Sequence, residues 1–256
     1  MQRIILFRFH NYFAVCEVHL RLLRLFNPTT PIYGLYGGPV RDQEKAQTLP
    51  LEHVFTIPLD DHYWKWAHGD LAVRWWYQEV GHQWRFDMLH VIEWDFLLLA
   101  SVDTYFAHIR DGVALTDVKP LAAVYDTSNW VAPKRGRDEW LYLKAEIDAH
   151  YPYSAEPVIG FFPGVAFSRA FLERYASVET SSLCNDEVRV PLFAQAFGMD
   201  VHDTGLAGGT FIVGEKQTVA PEVVYREYQR GVCAFHPVRE PLDYAIIARL
   251  KPAQRC

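Results

Sequence analysis

An apolar run, a helical stripe and a second apolar run follow one another at the start of this chain, and that order narrows the possible folds more than any other feature. "RIILFRF", Arg3 to Phe9, is rich in Ile, Leu and Phe, as expected of a strand covered on both faces. Asn11 is placed to cap "YFAVCEVHLRLLRLF", where Phe13, Cys16, Leu20 and Leu23 form a helical stripe that ends at Asn27 and Pro28. "PIYGLYGG" reads as a second strand and "EHVFTIPL" as a third. Strands joined through a helix run parallel, because a parallel pair needs a crossover connection.

The alternation continues. Asp70 is placed to cap a helix over "LAVRWWYQEV". The strand "DMLHVI" then leads into "LHVIEWDFLLLASVD", Leu89 to Asp103, read as a strand passing directly into a helix. In that helix Leu98, Leu99, Val102, Phe106 and Ile109 recur at three- and four-residue spacing. Val118 to Tyr153 has no lasting period and reads as an insertion or lid with at least one short helix. "VIGFFPGVAFSRAFLERYAS" reads as a strand, a Pro-Gly turn and a helix capped by Ser168. "CNDEVRVPLFAQAFG" is a helix stopped by Gly198, "MDVHDTG" a strand, and "GVCAFHPVREPL" holds the last strand. The expected fold is α/β: a Rossmann-like mixed, mainly parallel sheet flanked by helices, in a single domain of 256 residues.

Composition restricts the partners. Apolar residues make up 50 % of the chain and aromatics 15 %, which is globular. A net charge of −6 with scattered basic residues lacks the footprint of a protein that holds a duplex by its phosphates, so no nucleic-acid partner is expected. Cys16, Cys184, Cys233 and Cys256 show no metal spacing, and a reducing, cytoplasmic setting is the expectation. The first residues show no signal-peptide core, and no segment approaches the apolar length needed to span a bilayer. GxSxG, HExxH, GxxxxGK and GxGxxG patterns do not occur, so the common hydrolase, metalloprotease, P-loop and dinucleotide chemistries lack their signatures.

The chemistry-bearing stretch is "VIEWD". Side chains alternate along a strand, so Glu93 and Asp95 share a face while Trp94 takes the other. Both acids then stand at the carboxyl end of a buried strand, the edge where open α/β sheets bind ligands. Two neighbouring carboxylates repel and resist desolvation unless a cation or a shared proton compensates. Oxygen ligands suit Mn²⁺ or Mg²⁺, whose remaining positions substrate phosphates fill. A second reading stays open: Asp95 caps a helix starting near Phe96, and Glu93 is a solvated charge.

The ordered set of an N-terminal strand-helix-strand unit, "VIEWD", "GFFPGVAFSRAFLE", "NDE" opening a helix and a late "FHP" resembles the GT-A glycosyltransferases. The resemblance covers most of the chain apart from the insertion. It implies a nucleotide-sugar-binding half over residues 1–117, a lid at 118–153 and an acceptor-binding half over 154–256. It also implies metal-dependent transfer of a sugar from a nucleoside diphosphate donor to an acceptor hydroxyl on a carbohydrate or other molecule. The family's metal motif falls on Glu93, Trp94 and Asp95, departing from the pattern because the first acid is Glu. Its late metal-binding histidine falls on His236, with Arg239 beside it to meet phosphate. Its catalytic acid falls on Asp186 or Glu187, where first-turn acids are also favoured by the helix dipole alone. Arg189 is then an ion-pair partner or a diphosphate contact. Base and ribose contacts fall on His10, Asn11 and Tyr12, with Asp60, Asp61 and Arg74 in the second contact region. Trp64, Trp66, Trp75 and Trp76 offer faces for sugar stacking and serve packing equally well. The rival readings are a nucleotidyltransferase, which needs a Gly-rich basic loop that "FRFHNYFAVC" lacks, and a catalytically inactive domain that binds carbohydrate or protein.

Overall fold

The computed structural model describes residues 1–125, 139–211 and 217–250. In chain order the elements are β1 (Arg3–Phe9), α1 (Phe13–Phe26), β2 (Ile32–Tyr36), α2 (Gln43–Ala46), β3 (Val54–Thr56), α3 (His62–Ala67) and α4 (Gly69–Glu79). There follow β4 (Met88–Glu93), β5 (Leu97–Leu98), α5 (Val102–Tyr105), β6 (Val113–Pro120), α6 (Leu121–Tyr125) and α7 (Glu139–Asp148). The rest are β7 (Val158–Ser168), α8 (Arg169–Ser177), α9 (Asp186–Ala196), β8 (Val201–Asp203), α10 (Pro221–Tyr228), β9 (Ala234–Phe235) and α11 (Tyr244–Ile247). The fold is mixed α/β with mainly parallel strands, as the strand-helix alternation predicts. Residues 126–138 of the expected lid lie outside the described residues. Among the described residues no helix is long and apolar enough to cross a membrane.

The chain forms two compact units. The β1 unit takes Arg3–Asp60, Leu89–His108 and the chain from Leu206 onward. Its strands lie in the order β3-β2-β1-β4. The β1–β2 and β2–β3 pairs are parallel, with Ile5 beside Ile32 and Gly34 beside Val54. β2 is buried along its whole length and β1 nearly so, which is why both read as unbroken apolar runs. Of the stripe expected for α1, Cys16, Leu20 and Leu23 are buried and Phe13 is half-buried, with Val15, Leu22 and Phe26 buried beside them. Each buried side chain contributes about 1.5–3 kcal/mol of burial. The buried Asn27 ties the end of α1 to the segment after β5: its amide donates to the carbonyls of Leu23 and Ala100 and its oxygen accepts from the Val102 N–H.

The helix expected directly after β4 is not there. Leu97 and Leu98 pair antiparallel with Phe235 and Ala234, and helix appears only over Val102–Tyr105, capped by Ser101. An apolar run this short suits a buried strand as well as a helix, and here a long-range partner decides. Asn11 is not the cap of α1 either. Tyr12 holds that position in the left-handed region, φ 55°, and no side chain caps the helix.

The β6 unit takes Met1–Gln2, Asp61–Met88 and Ile109–Gly205. β6 pairs antiparallel with β7 and parallel with β8. Pro163 and Gly164 make no turn. β7 runs through them, and its register against β6 shifts between Ala114 and Thr116 and again between Thr116 and Lys119. Ser168 caps α8 as expected, its hydroxyl accepting from the Phe171 N–H. Asp70, expected as a cap, sits inside the first turn of α4 and is fully buried against Arg189. Arg189 grips both carboxylate oxygens of Asp70, and its remaining donors meet the carbonyls of Leu183 and Cys184 and the His68 ring. The Tyr175 hydroxyl also donates to Asp70. Burial alone pushes the Asp70 carboxyl up, but the Arg189 charge and its hydrogen bonds outweigh that and hold it below its ordinary value. Arg189 is therefore an ion-pair partner, and with no exposed surface on its side chain it is closed to a diphosphate.

Two outcomes follow from the buried charges. Arg189→Met leaves Asp70 buried without its cation and is expected to cost about 3–5 kcal/mol in urea unfolding, most of it recovered in the Asp70→Leu/Arg189→Met double variant. A single-variant loss within 0.5 kcal/mol, on the scale of about ±0.5 kcal/mol usual for surface changes, contradicts the assignment. In the β1 unit, burial lowers His90 from 6.5 to about 3, with Arg3 assisting, and burial lowers His19 to about 4. Between those values and the ordinary pKa the unfolded chain binds more protons than the folded one, so stability falls as pH drops. Each histidine contributes up to about 1.4 kcal/mol per pH unit below about 6.5. Unfolding free energies that do not change between pH 7 and pH 5 contradict this.

Candidate metal centre

β4 ends at Glu93 because the chain turns there: the Phe96 N–H bonds back to the Glu93 carbonyl, and the Trp94 N–H bonds to the carbonyl of Arg8 at the end of β1. The turn carries Trp94 and Asp95 off the strand. Since no helix starts at Phe96, the capping role open to Asp95 falls away. The Asp95 carbonyl instead accepts the Val238 N–H at 2.7 Å, which draws the His236-Pro237 segment, joined by a cis peptide, to the turn. The His236 N–H donates to the Thr210 carbonyl at 3.0 Å, and the imidazole stacks on Phe211 with ring centroids 4.9 Å apart.

These main-chain bonds bring Glu93, Asp95 and His236 together. One ligand atom from each lies within 4.8 Å of the others. The Asp95 and His236 side chains are nearly buried, and His236 Nε2 stands 3.7 Å from Asp95 Oδ1. Two carboxylates and an imidazole form an oxygen-rich donor set that fits Mn²⁺ or Mg²⁺, with the imidazole favouring Mn²⁺.

The sequence reasoning missed Arg8. Its Nη1 donates to Glu93 Oε1 at 2.6 Å, and both side chains are largely shielded. Arg8 interrupts an apolar strand run, and only the placement of β4 beside β1 gives that charge its partner. Arg239 plays the matching part for the other acid, its Nε donating to Asp95 Oδ2 at 3.2 Å. Even so, burial pushes the Glu93 carboxyl up. Arg8 and His236 oppose this and Asp95 adds to it, leaving Glu93 above its ordinary value. The Asp95 charge also reaches inward, where burial drives the Cys16 thiol up to about 12 with a smaller push from Asp95.

An aromatic group adjoins the acids. Tyr12 lies flat on Trp94, with centroids 4.3 Å apart and planes 5° from parallel, and His10 meets both rings edge-on. Tyr12 is half exposed and its left-handed backbone costs on the order of 1 kcal/mol or more. Gly38 leaves room for this loop: a Cβ there would lie 1.9 Å from the His10 carbonyl oxygen. The Asn11 side chain is exposed, while its carbonyl accepts from the Cys16 thiol. The strained tyrosine, its stacking partner and the acids thus stand around one strand end of one unit.

Apart from Asp60, the remaining candidates belong to the β6 unit. Asp60, numbered with the β1 unit, precedes Asp61, whose carboxylate caps α3 by accepting the Trp64 N–H. The Arg74 guanidinium is bound to the carbonyls of Tyr175, Ala176 and Val178. Asp186 is buried and accepts the Gly69 N–H at the start of α4, whereas Glu187 is half-buried and accepts from the Asn185 amide. Trp76 is core, and Trp66 is exposed. A second grouping of possible ligands, Asp111, Asp200 and His202, lies in this unit with both acids exposed.

No family model matches the chain, and no curated protein matches it. Several solved structures are similar in chain path. CMP:2-keto-3-deoxy-manno-octonic acid synthetase complexed with CTP is 14 % identical over 79 % of this chain and 89 % of that one, TM-score 0.44. An active-site mutant of LgtC is 10 % identical over 97 % and 95 %, TM-score 0.45. The WbbM bifunctional glycosyltransferase in its apo form is 12 % identical over 79 % of this chain, TM-score 0.42, and this chain spans 38 % of it.

The Arg8–Glu93 pair is testable without any ligand. Arg8→Met strands a shielded carboxylate and is expected to lower unfolding free energy by about 1–3 kcal/mol, with Arg8→Met/Glu93→Gln recovering most of it. Additive losses in the double variant contradict the pairing.

Proposed function

We propose that the protein is a metal-dependent glycosyltransferase that moves a sugar from a nucleoside diphosphate donor to an acceptor hydroxyl on a carbohydrate or other molecule. The observation that supports it is the convergence of Glu93, Asp95 and His236 at the carboxyl end of a buried parallel strand, the edge where open α/β sheets bind ligands. Asp95, His236 and Glu93 would hold Mn²⁺ or Mg²⁺. When bound, the ion supplies a Lewis acid that neutralises charge on the departing diphosphate.

The chain's own groups do the rest. Tyr12 and Trp94 present flat aromatic faces for a nucleotide base, with His10 against their edges and the Asn11 amide open to base or ribose. Arg239, part-exposed beside Asp95, meets phosphate oxygens. Asp61 and Arg74 add nothing to this reading, because their polar atoms hold α3 and the end of α8. The carboxylate of Asp186 is committed to the start of α4 and Glu187 accepts from the Asn185 amide, so the metal reading is carried by Glu93, Asp95 and His236 without a base assigned to either.

A screen of nucleotide-sugars for metal-dependent release of nucleoside diphosphate tests the proposal. Asp95→Asn is expected to lower that release by at least about 10²-fold, the scale of losing one electrostatic contact to the transition state. Turnover retained in that variant contradicts the metal assignment, and release of inorganic diphosphate from a nucleoside triphosphate would indicate nucleotidyl transfer instead.

A further inference from the structure

A cleft of about 530 Å³ opens in the β6 unit where β6 and β8 begin, with Asp111, Gly112 and Asp200 in its wall. β8 runs parallel to β6, Val113 beside Val201 and Ala114 beside His202, so both acids stand just ahead of the paired strands. The Val113 N–H donates to the Asp200 carbonyl at 3.0 Å. Gly112 takes the left-handed region, φ 60°, and a Cβ there would lie 2.1 Å from the Asp200 carbonyl oxygen. Glycine at this position is therefore what lets the chain carrying Asp111 approach Asp200 so closely.

Asp200 and His202 are two residues apart, and the alternation of extended chain turns their side chains to one face. His202 Nε2 lies 3.0 Å from Asp111 Oδ1, and one ligand atom from each of the three residues lies within 4.8 Å of the others. Elsewhere in the chain, acids held close to other groups are answered by arginine, as Asp70 is by Arg189. Among the described residues, neither Asp111 nor Asp200 pairs with a lysine or arginine, and Arg110, which lines the same cleft, pairs with neither. The imidazole is the one basic group that meets the pair.

The donor set is mixed, one imidazole nitrogen and two carboxylate oxygens delivered by two neighbouring strands. Three protein ligands of these types with a fourth position open is the arrangement Zn²⁺ adopts in sites that also take water or a small ligand. Ligand atoms about 2.0–2.1 Å from a tetrahedral ion stand about 3.3 Å from one another. Nε2 and Oδ1 need to part by only a few tenths of an ångström for an ion to replace the hydrogen between them.

We propose that Asp111, Asp200 and His202 form a Zn²⁺ site that clasps the starts of β6 and β8, with its fourth position left to water or a small ligand in the cleft. The site uses residues of the β6 unit alone and does not rest on the reading of Glu93, Asp95 and His236.

Calorimetric titration of Zn²⁺ into the intact chain carrying Asp95→Asn, which removes a ligand from the other centre, tests this. One equivalent is expected to bind. Adding His202→Gln is expected to weaken that binding by at least about tenfold, since changes behind a metal ligand already cost about 10–100-fold. Asp111→Asn on the same background is expected to weaken it in the same direction, and at a side chain 71 % exposed it leaves the fold intact. Zn²⁺ is also expected to raise the unfolding midpoint of Asp95→Asn and to lose that effect when either substitution is added. No saturable Zn²⁺ binding to Asp95→Asn overturns the inference, as does binding that neither His202→Gln nor Asp111→Asn weakens.

Discussion

Two carboxylates near the end of a buried strand are the constraint around which the β1 unit is organised. Burying like charges side by side costs several kcal/mol unless something answers them. Here the answers come from separate parts of the chain: Arg8 from the neighbouring strand, and His236 and Arg239 from the late segment held by the Val238–Asp95 main-chain bond. None of these groups is near the acids in sequence. The pairing of β5 with β9 delivers the late segment to the place where β1 and β4 end. The long-range pairing of Leu97 and Leu98 with β9 therefore helps bring His236 and Arg239 to the acids.

The β6 unit solves a comparable problem in the opposite way. Asp70 and Arg189 are wholly buried and their polar atoms are mutually satisfied, with Tyr175, His68 and two main-chain carbonyls taking the remainder. Such a set has no unmet capacity for a ligand, and it reads as a fixed strut that ties α4 to α8 and α9. In the β1 unit each acid gives one oxygen to its arginine, and the imidazole adds a third donor. That difference separates the structural ion pair of one unit from the candidate metal centre proposed in the other.

Much of the fold was legible in the sequence because β1, β2 and β4 are buried along nearly their whole length and the main helix is strongly striped. β1, α1, β2, β3, the Ser168 cap and α9 follow from periodicity and local chemistry. The errors cluster where a long-range partner overrode a local pattern. Leu97 and Leu98 fit a helical period but pair with β9. Asn11 and Asp70 had the chemistry of caps, yet a left-handed Tyr12 and a buried Arg189 took precedence. Pro163-Gly164 suggested a turn, while a register shift against β6 lets the strand continue. For the candidate site, the two acids were legible from their alternation along a strand, and His236 came from the resemblance to the GT-A glycosyltransferases. Arg8 was not, because its role depends on which strand lies beside β1.

Pulsed electron paramagnetic resonance of Mn²⁺ bound together with a nucleoside diphosphate tests the central claim most directly. The account predicts ¹⁴N coupling from a directly bound imidazole that disappears in His236→Gln, alongside ³¹P coupling from the diphosphate. A bound ion with phosphorus coupling but no nitrogen coupling in the wild-type chain would contradict it.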